Sequence, residues 1–239
     1  MSTNIFFLGF IDQIYPQTAF NMIKILEKVG CKVNYNPNQT CCGQPAFNGG
    51  YWDQCKEVGE KFIKDFPNDR YIVSPSASCV GMIKNYYPEI FHNTVLHNES
   101  KTIQKNIIEL SDFLVNVLKV TDVGARLDGI ATYHDSCAGL REVGIKEEPR
   151  TLLSNVKGLE LREMNDTETC CGFGGTFSVK YESIAVGMAE QKINHATETK
   201  ADILISTDVS CLMHLDGFMK KQGTKMRVMH LADVLASGW

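Results

Sequence analysis

Cys41-Cys42-Gly43 and Cys170-Cys171-Gly172 set one unusual tripeptide in each half of a 239-residue chain, and this doubling constrains the fold more than any other feature. Self-similarity on this scale marks a structural unit used twice. Downstream of each pair, a further cysteine follows a short apolar run. Cys79 lies 37 positions after Cys42, in PSASCVGM behind YIV; Cys211 lies 40 positions after Cys171, in TDVSCLMH behind ILI. Upstream, Cys137 precedes Cys170 by 33 positions, and the equivalent place, 32 positions before Cys41, holds Gly9. The tails IIELSDFLVNVL (107–118) and VMHLADVLASGW (228–239) also match, and both are expected to be helical. Duplication is the economical account. The polar, glycine-containing TDVGARLD (121–128) supplies the join, giving domains 1–124 and 125–239.

Apolar runs too short for helices alternate with longer segments of helical period, the pattern of a parallel sheet with crossover helices. Strands are expected at 4–10, 31–35 and 71–75 in the first half, with helices from Ala19 to Gly30 and from Tyr51 to Phe66. In the second half the strands are expected at 129–134, 159–164 and 203–208, with helices at 150–156 and 177–197. The expected fold is α/β: two duplicated Rossmann-like halves, each a small parallel sheet, related by pseudo-twofold symmetry. Gly9, every Cys-Cys pair and the later cysteines then fall behind strands and at helix starts. That is the carboxyl edge of a parallel sheet, where open α/β folds bind ligands.

What should bind there follows from the cysteine count. The opening MSTNIFFLGFIDQIYP has no basic n-region and no stretch nears the roughly 20 apolar residues of a membrane span, so a cytoplasmic chain without a span is expected. A reducing compartment and an odd total of nine cysteines exclude a disulfide framework, leaving metal or redox chemistry. A net charge of −4 without clustered Lys or Arg excludes nucleic acid as the main partner. Cys31 and Cys55, each alone on an expected strand or helix, are read as small packing residues. The other seven gather at helix starts, where positive dipole density favours the thiolate. Adjacent cysteines share one tetrahedral ion only under strain but readily reach neighbouring irons of a cluster. Gly172, Gly174 and Gly175 would bring backbone N–H groups to such a cluster without bulk, and His134 and Asp135, just ahead of Cys137, are candidate supporting partners.

These spacings match neither the close-set ferredoxin run nor the paired knuckles of a zinc finger. They resemble the CCG or cysteine-rich domain family of iron–sulfur oxidoreductases, whose pattern is Cys, then Cys-Cys-Gly, then Cys-x-x-Cys at long intervals. That group includes the cysteine-rich component of heterodisulfide reductase, the iron–sulfur component of glycolate oxidase and the lactate-utilisation protein A family. FIDQIYPQTAF, NQTCCGQPAFNGGY, PSASCVGMIKNYYP and VSCLMH are most similar to the last.

The resemblance implies an iron–sulfur electron-transfer subunit of an L-lactate-oxidising complex, an oxidoreductase component without activity of its own. It implies a cluster of the [4Fe-4S] kind, with zinc in aerobic preparations, and as partners a ferredoxin-like protein and a further subunit. It makes Cys137, Cys170, Cys171 and Cys211 ligands, with His214 standing where the last cysteine belongs. In the first half only Cys41, Cys42 and Cys79 remain, since Gly9 and Met82 occupy cysteine positions, so a single well-bound cluster in the second half is expected. Two alternatives stay open. A heterodisulfide-reductase-like thiol/disulfide component would want two complete motifs, and a zinc-stabilised interaction module fits adjacent cysteine pairs poorly. GFGG (172–175) lacks the G-x-G-x-x-G spacing and no P-loop or nucleophile elbow is present, so no nucleotide-borne hydride acceptor is expected in this chain. Partner docking is expected over FNGGYW (47–52) and GGTF (174–177).

Overall fold

The computed structural model describes residues 1–7, 9–66 and 69–239. In the first half β1 (Ser2–Ile5), β2 (Lys32–Tyr35), β3 (Ile72–Ser74) and β4 (Ile107–Glu109) form a parallel sheet in the order β2-β1-β3-β4. In the second, β5 (Arg126–Tyr133), β6 (Lys157–Leu161), β7 (Ile203–Ser206) and β8 (Arg227–His230) repeat that order as β6-β5-β7-β8, again all parallel. The architecture is the expected one, α/β with two Rossmann-like halves.

Three local expectations are corrected. Each tail begins with a strand rather than a helix, so each sheet has four strands where the sequence suggests three. Ile107 pairs with Ile72 and Val228 with Leu204, and runs this short show no period of two before the following helix takes over. The first strand ends at Ile5, and Gly9–Ile14 is helical; Leu8, inside the expected strand, lies outside the described residues. The helix expected over 177–197 is two, Phe177–Lys180 and Glu182–Glu198, broken at Tyr181, where φ is −131° and ψ 53°.

Side chains alternate across the strands and so sort the interior into layers. Ile5, Val73 and Ile108 face a core built by both halves, with Met22, Leu26 and Phe113 from the first and Leu152, Leu231 and Leu235 from the second. Ile72 and Ile107 face the other way, into a first-half core that holds Cys42, Cys55 and Cys79 among Phe62 and Tyr87. Leu204 faces a second-half core with Cys171 and Cys211. Polar bonds cross between the halves as well: Asp233 accepts from Thr18 Oγ1 and Asn21 Nδ2, both at 2.9 Å, and His230 Nε2 donates to Pro75 O at 2.8 Å. Among the described residues no helix is long and apolar enough to cross a membrane.

Candidate metal centre

Parallel strands deliver the cysteines to one edge. In the second half β5 ends at Tyr133, and His134 and Cys137 follow at once. β6 leads into the loop of Cys170 and Cys171, and β7 into the helix Val209–Gln222, whose first turn carries Cys211. The four thiols form a chain of contacts, Cys137 to Cys170, Cys170 to Cys171 and Cys171 to Cys211. Thiol hydrogen bonds from Cys137 and Cys171 hold Cys170 far below the ordinary range, whereas the same bonds and burial push Cys137 and Cys171 up. One thiolate is therefore already favoured, while its neighbours hold protons that a bound metal would displace.

The backbone completes this cradle. Gly172 N–H points at Cys170 Sγ and Phe173 N–H at Cys171 Sγ, each at 3.4 Å. Successive amides turned inward in this way make an anion-binding concavity. Gly172 has φ 95°, and a Cβ there would lie 2.6 Å from Ala185 O, so the residue has to be glycine. Gly174 and Gly175, also at positive φ, continue the loop along a cavity of about 450 Å³ that Cys137, Cys170, Cys171 and Cys211 share with Ser76 and Ser78 of the first half.

His134 is wholly buried and neither ring nitrogen has a hydrogen-bond partner. One of its nitrogens comes within 4.8 Å of the Cys171 and Cys211 sulfurs. Burial, with Lys192 adding to it, lowers its pKa to about 4, so the ring is neutral and its lone pair free. A buried imidazole without a partner carries a desolvation cost that a metal or cluster would relieve. Ser206 Oγ donates to His134 O at 2.9 Å, and Arg150 grips Asp135 through both carboxylate oxygens at 2.9 and 2.8 Å, which fixes the His134-to-Cys137 segment. His214 is not part of this group: its Nε2 is 3.3 Å from Ala185 O, beside the Gly172 turn, and its ring sits next to Phe173.

The sequence gives little warning of two neighbours. Lys192 is fully buried and donates to Asp166 O at 2.6 Å and Thr167 O at 3.1 Å, tying down the approach to Cys170. Its clue is position, a lysine on the same helical face as Ala185, Ala189 and Ala196. Asp208, also buried, accepts from Ser78 N at 2.9 Å and Ser210 Oγ at 2.8 Å, linking the helix that carries Cys211 to the one that carries Cys79.

In the first half Cys41, Cys42 and Cys79 form the matching chain, with Gly43 N–H on Cys41 Sγ at 3.4 Å, Ser76 Oγ donating to Cys79 Sγ at 3.3 Å and Tyr87 Oη to Cys42 O at 2.9 Å. Phe6 N bonds Val73 O just as His134 N bonds Ile205 O, so Phe6 stands where the second half has His134, and Gly9, three residues on, stands where it has Cys137. The donor set of the second half, soft thiols with one imidazole, fits an iron–sulfur cluster or a single soft divalent ion.

A family model described as a cysteine-rich domain, CCG, matches residues 6–84 and again 131–216. Lactate utilization protein A of Geobacillus sp. strain WCH70 is 44% identical over 99% of this chain and 100% of its own length. Its counterpart in Geobacillus kaustophilus is 45% identical over 98% of both chains, and that of Halalkalibacterium halodurans 43% identical over 98% of this chain and 96% of its own. Among solved structures, a hypothetical protein from Helicobacter pylori superposes with a TM-score of 0.64 at 12% identity, a likeness of fold. That match covers all of this chain, which spans about half the length of the Helicobacter protein, 49%.

Proposed function

Because the chain belongs to the cysteine-rich CCG domain family, we propose that it is an iron–sulfur electron-transfer subunit serving lactate oxidation; its full-length relatives are named for lactate utilization. The observation that carries this reading is the second-half pocket, a chain of four thiols of which two, Cys171 and Cys211, lie within 4.8 Å of a buried imidazole that has no hydrogen-bond partner. Cys137, Cys170, Cys171 and Cys211 would hold the group, His134 would complete or support it, and the amides of Gly172 and Phe173 would hydrogen-bond its sulfur ligands. A bound cluster supplies one-electron transfer. The remaining work falls to the chain: the glycine loop admits the group closely, Lys192 offsets thiolate charge, and the apolar wall of Ala189 and Leu215 limits water.

Oxidation of a 2-hydroxy acid removes two electrons, chemistry normally carried by a hydride acceptor. A ferredoxin-like partner and a further subunit would therefore complete the system, docking where Tyr51 and Trp52 stand exposed and where Asn48 Nδ2 nears Gly175 across the cavity. His134, Cys171 and Cys211 are also the donors a zinc ion would want, so metal identity is the deciding measurement. Protein isolated without oxygen should contain iron and acid-labile sulfide with an EPR signal on reduction, and Cys170→Ser with Cys171→Ser should remove the second-half share. The isolated chain should not reduce an artificial acceptor with lactate, and should support it once the partners are added. Stoichiometric zinc without sulfide, or turnover by the chain alone, would overturn the proposal.

A further inference from the structure

Cys31 and Cys55 look alike in the sequence, but the fold separates them. Cys31 packs in the shared core, while Cys55 is fully buried in the first-half core with Cys42 and Cys79. Its sulfur lies 3.0 Å from where a Cβ on Gly43 would be, and Gly43 N–H in turn bonds Cys41 Sγ. The amide of Phe47 points at the Cys55 sulfur. The Cys55 thiol thus adjoins the Cys-Cys-Gly turn itself.

The two halves say what this position means. The glycine of each Cys-Cys-Gly turn rests on the backbone of one helical residue, which is Cys55 in the first half and Ala185 in the second: a Cβ on Gly43 would be 3.2 Å from Cys55 O, and a Cβ on Gly172 2.6 Å from Ala185 O. These residues are structural equivalents. The second half has its leading thiol, Cys137, and an alanine against the turn. The first half lacks the leading thiol at Gly9 and has a cysteine against the turn. One thiol has in effect changed places, and each half keeps four.

We propose that Cys41, Cys42, Cys55 and Cys79 form a second soft-metal centre, iron–sulfur or zinc, in which Cys55 replaces the thiol missing at Gly9. Four sulfurs from one loop and two helices are a donor set for thiophilic metals and for little else. Cys41 is half-buried and opens, with Gly9, Gln39 and Pro45, on a cavity of about 480 Å³ that gives an entry path. Metal binding releases the thiol protons. On this proposal the first half offers four thiols rather than three, and the chain two centres rather than one.

The test uses the full chain with Cys170→Ser and Cys171→Ser, so that only the first half can load and the outcome is separable from that of the second-half centre. Reconstituted without oxygen, with iron and sulfide in one arm and zinc alone in the other, this chain should still bind metal, about half the parent's iron if the two centres are of one kind. Adding Cys55→Ala should reduce the bound metal at least about fivefold, as expected when one ligand of four is lost. Alanine is the residue the second half carries at this position, and an unchanged melting temperature of the metal-free chain verifies folding. Adding Gly9→Cys should restore binding, since a Cβ at Gly9 meets nothing within 4 Å. Iron with sulfide or zinc identifies the metal, and either supports a four-thiol site. No metal in the chain with Cys170→Ser and Cys171→Ser, full metal retention on adding Cys55→Ala, or a loss that Gly9→Cys leaves unrepaired would each overturn it.

Discussion

The two halves share a backbone but differ at the residues that touch the sulfurs. Where the second half sets His134 beside Lys192, the first sets Phe6 against Phe62, rings 4.8 Å apart edge to face. The equivalence follows from the register: Cys55 matches Ala185, and Phe62 and Lys192 each lie seven residues further along the helix. One pocket is therefore walled by a neutral imidazole and a buried ammonium, the other by aromatic carbon. A nearby positive charge favours the reduced, more negative form of a redox centre, and unit charges at an effective dielectric near 20 interact by a few kcal/mol. Lys192→Met should lower the midpoint potential of the second-half centre by on the order of tens of mV while Lys192→Arg largely preserves it, measured by EPR-monitored redox titration. A potential that is unchanged or raised in the methionine variant would refute this electrostatic role.

At the level of elements, each fourth strand ends in a side chain that caps the next helix. Glu109 accepts from Ser111 N at 2.6 Å and Asp112 N at 3.3 Å, and His230 Nδ1 accepts from Ala232 N at 3.0 Å. Glu109 carries a cost, for it is fully buried, its Oε1 has no partner, and desolvation raises its pKa from 4.5 to about 7. The folded state therefore holds a proton that the unfolded state releases between those values. The stability this represents is fully present below pH 4.5 and is lost as pH rises through about 7. Its size is on the order of 3 kcal/mol. Glu109→Gln keeps an acceptor for the cap without the charge, so its urea midpoint should change little between about pH 5 and about pH 8 while the parent's falls. Parallel pH profiles for the two proteins would show that the carboxyl is not the cause.

At the scale of the molecule, the halves are joined by more than the connecting segment. The shared core draws Met22, Leu26 and Phe113 from one half and Leu152, Leu231 and Leu235 from the other, each side chain worth about 1.5–3 kcal/mol when removed from water. Separation would also expose Asp208 and His230, which reach Ser78 and Pro75 across the join. Residues 1–124 and 125–239 produced as separate fragments should therefore lack cooperative unfolding, and mixing them should recover a common transition by circular dichroism. Independent sharp transitions in each fragment would mean that the shared core contributes little. Coupling of this kind also keeps the second-half sulfurs and the first-half serines lining one cavity.

The duplication, the parallel α/β topology and the edge where the cysteines gather were legible in the sequence, because strand, loop and helix periods are local and the Cys-Cys-Gly turn recurs in each half. Gly172 was legible for the same reason, as a turn whose positive φ excludes a side chain. Tertiary structure alone decided which residues surround the sulfurs. The fourth strands were hidden because their partners are distant in the chain. His134 rather than His214 reaches the second-half thiols because β5 ends pointing into the pocket, whereas His214 lies one helical turn beyond Cys211 and faces Ala185. Cys55 looked like packing because its nearest cysteine neighbours are more than a dozen residues away in the chain, and only the seating of the helix Trp52–Asp65 on Gly43 brings it against the Cys-Cys-Gly turn.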